Sequence, residues 1–195
     1  MGIVWTMKKL FTVFTAMLLS LSVFSQEHLD FRGIPIDGHI DNFIAKMKTL
    51  GYTISSKDDV SAIMKGKFTN RDADIFILAT PQTKTVFKVF VDFEKESSWS
   101  TLKNNYFDYK ELYIKKYGET EHAYEFFSKP YYEGDGYELQ ALTKEKCTYA
   151  TFFKTQNGIV VVELTKYECL RLAYEDKINI ELRDKEKTAS ALDEI

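Results

Sequence analysis

The run Tyr131-Tyr132-Glu133-Gly134-Asp135-Gly136-Tyr137 gathers the residue types best suited to recognition chemistry in this chain. Tyrosine offers a large, flat, amphipathic surface at little entropic cost, the two acids offer acceptors, and the glycines let a loop hinge. Such a loop can stack a sugar ring or grip a protein partner, with Tyr131, Tyr132, Glu133, Asp135 and Tyr137 as the binding residues. A long surface hairpin loop whose tyrosines lie back on a sheet is the plainer alternative. Calcium at Glu133 and Asp135 fits poorly, because the regular run of oxygen ligands that such a site needs is missing.

Other chemically capable residues stand at the wrong spacing. His28, His39 and His122 are far apart, with no cysteine or carboxylate at ligand spacing, so no metal site is expected. Asp58-Asp59 and the pair Asp72 and Asp74 fall in or beside polar turns, where Asp is common for conformational reasons. An acid–base pair needs one carboxyl in an apolar pocket, and nothing in the sequence promises that. Neither a serine-nucleophile elbow nor a phosphate-binding glycine loop is present. The sequence therefore predicts no catalytic residue and no cofactor, and a non-enzyme.

Cys147 and Cys169 flank a hairpin expected around Asn157-Gly158. If the loop is Gln156-Asn157-Gly158, Cys147 lies opposite Tyr167 and Cys169 sits one diagonal step away on the same face. That separation is too long for an unstrained disulfide, although a bulge closes it. A bridge and two free thiols both stay open.

The element that must position everything else runs from Ser98 to Gly118. Trp99, Leu102, Tyr106, Tyr109, Tyr113 and Tyr117 follow one another at steps of three or four, which places them on one helical face. Ser97 or Ser98 can cap its start, Lys115 and Lys116 suit the negative end of the dipole, and Gly118 can close it. At about 19 residues it is roughly 28 Å long, enough to cross a sheet.

Before it, Asp37 is the expected cap of a first helix with apolar positions Ile40, Phe43, Ile44, Met47 and Leu50. Strands are predicted over 62–68, 73–80 and 85–93, joined by short turns as a meander. After the long helix, strands are predicted over 137–143, 147–155, 159–166 and 170–175, then a short helix from near Asn179. The fold class is α+β: a tandem repeat of a helix plus about four antiparallel strands, over about 26–95 and 96–183, with a tail at 184–195. The two helices are expected on one face of the shared sheet, leaving Lys88, Thr151, Glu163 and Thr165 on the other.

At 195 residues and 45% hydrophobic content, the chain can fill one sizeable core. Residues 1–25 read as a signal peptide: Lys8 and Lys9, an apolar run from Leu10 to Phe24, and Val23-Phe24-Ser25 as the cleavage site. The apolar run is shorter than the about 20 residues of a membrane span. Cleavage leaves 26–195 as a single domain with 24 basic against 29 acidic residues and a net charge of −5. That sign argues against nucleic acid as a partner. The expected location is exported, periplasmic or secreted, without a stable membrane span after cleavage.

Phe31 to Gly38, Trp99 to Gly118 with its Lys116-Tyr117-Gly118 ending, and Tyr174 to Asn179 resemble small exported proteins of Bacteroidetes-type bacteria. The repeated helix-plus-four-strand plan is similar to the β-lactamase inhibitor protein architecture. The first resemblance implies export and brings no catalytic residues; the second concerns fold alone. The functional expectation is a non-catalytic extracytoplasmic binding module whose partner is an envelope or extracellular protein or a glycan. A carbohydrate- or small-ligand-binding protein is the alternative, and an envelope enzyme the last.

Overall fold

Short polar turns and capped helices partition the chain in the computed structural model, which describes residues 27–120 and 122–193. In order these form β1 (Asp30–Phe31), β2 (Ile34–Pro35), α1 (Ile40–Thr49), β3 (Thr53–Lys57), β4 (Ser61–Phe68), β5 (Arg71–Ala79) and β6 (Val86–Phe93). There follow α2 (Trp99–Tyr117), β7 (Ala123–Phe127), α3 (Glu138–Thr143), β8 (Cys147–Lys154), β9 (Gly158–Leu164), β10 (Leu170–Asp176) and α4 (Lys177–Asp193). The signal-peptide expectation over residues 1–25 lies outside the described residues. Among the described residues no helix is long and apolar enough to cross a membrane.

The fold is α+β. Eight strands form one sheet in the order β3-β4-β5-β6-β10-β9-β8-β7, and every neighbouring pair is antiparallel. Register aligns Thr151, Val162, Leu172, Val91, Ile75 and Met64 in one file across six strands. All six are buried and point to the same side, because residues opposite one another in a ladder share a face. Against that side pack Ile40, Phe43, Ile44 and Met47 of α1 and Leu102, Tyr106, Tyr109 and Tyr113 of α2. The α2 stripe is thus core, as its spacing predicts. Ser98 caps α2 by accepting the Thr101 N–H at 3.4 Å, and Gly118 ends it at φ 90°.

Several expectations are corrected. Residues 138–143 form a helix rather than a strand: Glu-Leu-Gln-Ala-Leu are helix formers, and adjacent Ala141 and Leu142 are buried together. The two edge strands, β3 and β7, fall outside every strand predicted from the sequence. Both expose most of their side chains, so neither shows the alternation that marks a half-buried strand. His39 rather than Asp37 caps α1, its Nδ1 accepting the Asp41 N–H at 3.3 Å. α4 is a full 17 residues, opened by Asp176, which accepts the Asn179 N–H at 2.9 Å.

The β8–β9 turn also differs by one residue. Lys154, not Thr155, pairs with Ile159, because the Thr155 N–H and hydroxyl both turn onto the Gly158 carbonyl, at 2.9 and 3.0 Å. A Cβ at Gly158 would stand 2.0 Å from the Glu175 carbonyl oxygen, so only glycine fits. In β6 a register shift opposite Leu78 and Ala79 sends Val86 into the core, while Phe87 lies under the Arg183 guanidinium, 5.0 Å from its ring centre.

Candidate functional site

The side of the sheet away from α1 and α2 is built by the alternate residues of the same strands. Its middle file is Ile63, Phe76, Phe90, Ala173, Val161 and Phe152, one residue from each of β4, β5, β6, β10, β9 and β8. Six consecutive apolar residues facing away from the helices are more than a solvated sheet face needs. Ile63, Phe76, Phe90 and Phe152 remain half-buried. α4 does not occupy this file; it crosses the end of the sheet, tied to Val86 through Asn179 and to the β5–β6 turn through Glu186.

Charged residues flank the apolar file on both sides. On one side Lys88 meets Glu175 at 2.5 Å, between Leu78 and Ile159 of the neighbouring strands. On the other, Glu163, Arg171, Asp92, Asp74 and Lys65 follow one another across five strands. Arg171 grips Asp92 through two bonds of 2.6 and 2.7 Å and lies over the Phe90 ring at 4.2 Å. Burial pushes the Glu163 carboxyl above its ordinary range against the opposing pull of Arg171 and Lys88. Phe76 and Phe90 stack with centroids 4.5 Å apart and planes 9° from parallel. Phe90 is therefore covered on one face by Phe76 and on the other by Arg171, which fixes its rotamer and turns its edge outward.

At the end of this face an open cleft of about 460 Å³ is lined by Asp74, Phe76, Asp92, Lys95, Tyr167 and Cys169, among others. Glu163 and Lys88 belong to the open face as expected. Thr151 does not: it is fully buried on the helix side, bonded to the Tyr106 hydroxyl at 2.5 Å. Thr165 is also buried, with its hydroxyl 3.0 Å from the Cys169 sulfur.

The loop from Tyr131 to Tyr137 lies elsewhere. Glu133 pairs with Lys103 of α2 and accepts from the Tyr149 hydroxyl at 3.4 Å, and Tyr131 packs against the main core. These contacts are on the helix side, so the loop and the open face are not one surface. Its acids hold its own backbone: Asp135 accepts the N–H groups of Tyr132 and Tyr137 at 3.1 and 2.7 Å, and Glu138 that of Gly134 at 2.9 Å. Tyr132 and Tyr137 stay 65% and 61% exposed, which leaves these two rings free for contact.

Cys147 and Cys169 are free, buried thiols. Cys147 belongs to the core on the helix side, whereas Cys169 lines the cleft on the other side. Burial, with Glu133 and Glu138 nearby, pushes the Cys147 thiol up to about 12. Burial raises Cys169 as well. His28 lies 3.1 Å from Asp176 and 3.5 Å from Asp37, and this contact ties the start of the described chain to α4. Among the described residues no group of three His, Cys, Asp or Glu side chains is arranged to hold a metal.

Phe76, Phe152 and Arg171 have no place among the site residues predicted from sequence. One signal was available: strands such as 85–93 carry apolar residues on both faces. The Arg171–Asp92 pair joins strands 79 positions apart, which no local pattern reveals. No protein-family model matches the chain, no curated protein is detectably similar to it, and no solved structure matches its fold.

Proposed function

We propose that the chain is a non-catalytic, exported binding module that engages a partner protein through the open face of its sheet. The observation that carries this reading is the apolar file from Ile63 to Phe152, half-buried at Ile63, Phe76, Phe90 and Phe152, with a charged file on one side and the Lys88–Glu175 pair on the other. An apolar centre with a polar rim is the anatomy of a protein interface. Sugar recognition by stacking needs an open ring face. Both faces of Phe90, at the centre of the file, are already occupied by Phe76 and Arg171, so this ring offers no stacking platform for a sugar.

The order of elements supports the two-unit plan. α1 precedes the meander β3–β6, α2 precedes β7–β10, and the last strands of the two units, β6 and β10, meet at the centre of the sheet. On that reading the open face is one surface assembled from both units, with the Arg171–Asp92 pair at their seam. The exposed rings of Tyr132 and Tyr137 favour a second reading, a small-ligand or glycan contact at the loop.

Capture of envelope proteins on the immobilised mature chain separates the two. Ile63→Asp and Phe152→Asp, at the two ends of the file, are expected to abolish capture while circular dichroism stays native. Retention of the same partner by both variants, with loss on Tyr132→Ala and Tyr137→Ala, overturns the open-face reading. Export is checked by the intact mass of the native protein, which should begin at Gln26.

A further inference from the structure

We propose that β7 is a self-pairing edge, through which two copies of the chain join antiparallel about Glu125 into one continuous sheet. The inference holds whichever partner the open face takes.

The two edges of the sheet are built differently. β3 carries a register shift between Ile54 and Ser56 and a terminal lysine, features that discourage strand addition. β7 has neither of them. It runs in unbroken register with β8 over its five residues, and Tyr124 and Phe126 are each 49% exposed.

Ladder alternation fixes which backbone groups are free. The Phe152 N–H donates to the His122 carbonyl at 2.9 Å, and the Ser128 N–H donates to the Lys146 carbonyl at 2.7 Å. Even-numbered residues of this segment therefore bond to β8, and the N–H and C=O groups of Ala123, Glu125 and Phe127 point off the sheet. Those three residues can form about six backbone hydrogen bonds with an antiparallel partner strand.

The side chains select a second copy as that strand. With Glu125 opposite its own counterpart, Tyr124 faces Phe126 twice on the open side, giving two aromatic cross-strand pairs. On the helix side Ala123 faces Phe127 twice, small against large. The central carboxylates do not meet as bare charges, because each is held by Lys110 at 2.6 Å and by the Tyr106 hydroxyl at 3.0 Å. A two-fold axis normal to the sheet keeps both sets of helices on one side. It also continues the open face, since the Tyr124 ring already packs edge-on against Phe152 at 6.0 Å.

Light scattering on the mature chain is expected to give twice the single-chain mass, and Phe126→Lys, which sets a lysine against Tyr124, to halve it. The register is tested by oxidising Tyr124→Cys and Phe126→Cys chains separately and mixed. Only the mixture should yield a disulfide-linked dimer, because position 124 lies opposite 126 of the second copy and neither lies opposite itself. A single-chain mass at every attainable concentration overturns the proposal. So does a dimer that survives Phe126→Lys, or cross-linking as efficient within either variant alone as between them.

Discussion

Tyr106 of α2 and Thr151 of β8 share a buried hydrogen bond of 2.5 Å, and its direction is fixed by a third residue. The Tyr106 hydroxyl lies 3.0 Å from Glu125, whose carboxylate can only accept. The phenol proton therefore goes to Glu125, Thr151 donates to the phenol oxygen, and Lys110 closes the chain at 2.6 Å from the same carboxylate. Burial raises the Tyr106 pKa well above the ordinary phenol range. Tyr106→Phe should cost about 1–2 kcal/mol in urea unfolding, because it leaves the Thr151 hydroxyl without its acceptor. With Thr151→Val the double-mutant cycle should return a coupling of at least about 0.5 kcal/mol. Strict additivity would show that the bond contributes nothing.

That relationship also marks the limit of what the sequence told. The helix stripe from Trp99 to Tyr117 was legible because its period is local, and the central strands because half-buried alternation is local too. Thr151 was misplaced because a threonine in a strand reads as solvent-facing. Only the register with Val162 and the tyrosine above it reveal that it lies in the core. The edge strands escaped notice because exposure erases periodicity. The open-face cluster of Phe76, Phe90 and Arg171 depends on pairing between distant strands, which chain order does not specify.

The two thiols yield a direct count. Both are buried, and burial raises both pKa values, so neither should react with Ellman's reagent in the native protein. Denaturation without reductant should release two thiols per chain. A count of zero would show that both thiols are oxidised instead.

Glu163 makes stability depend on pH with a definite sign. Its folded pKa is raised above 4.5 by burial, so between the two values the native state binds more protons than the unfolded one. The penalty is absent below the unfolded pKa and grows as pH rises through the folded one. Glu163→Gln should therefore raise Tm relative to the parent more at about pH 8 than at about pH 4. An equal difference at both ends would show that Glu163 titrates normally.

Within the loop the tyrosines should separate. Tyr131 packs on the core, whereas Tyr132 and Tyr137 are largely exposed. Thermal unfolding should show Tyr132→Ala and Tyr137→Ala within about 0.5 kcal/mol of the parent and Tyr131→Ala clearly below it. Trp99→Ala should cost about 3 kcal/mol, since its ring packs edge-on against Phe127 and Tyr149 at 5.6 and 5.3 Å. Equal losses at all three tyrosines would place the whole loop in the core.

Asp176 holds the start of the described chain to its last helix. Its carboxylate is fully buried and accepts the Leu29 N–H at 2.8 Å, the Asn179 N–H at 2.9 Å and a contact from His28 at 3.1 Å. Asn179 completes the junction by donating to the Ile36 and Val86 carbonyls at 2.9 and 3.0 Å. Asp176→Ala leaves two buried N–H groups without acceptors, at about 1–3 kcal/mol each, so a loss of about 3 kcal/mol is expected. The loss should be local first: limited proteolysis should cut between His28 and Asp37 before the sheet unfolds, because the β1–β2 hairpin is only two residues wide on each side. Asp30→Ala is the control, since that side chain belongs to the same hairpin, is exposed, and its removal should change little. Equal protease resistance of Asp176→Ala and the parent would show that apolar packing of Leu29, Phe31, Ile34 and Ile36, all buried, holds the segment without the carboxylate.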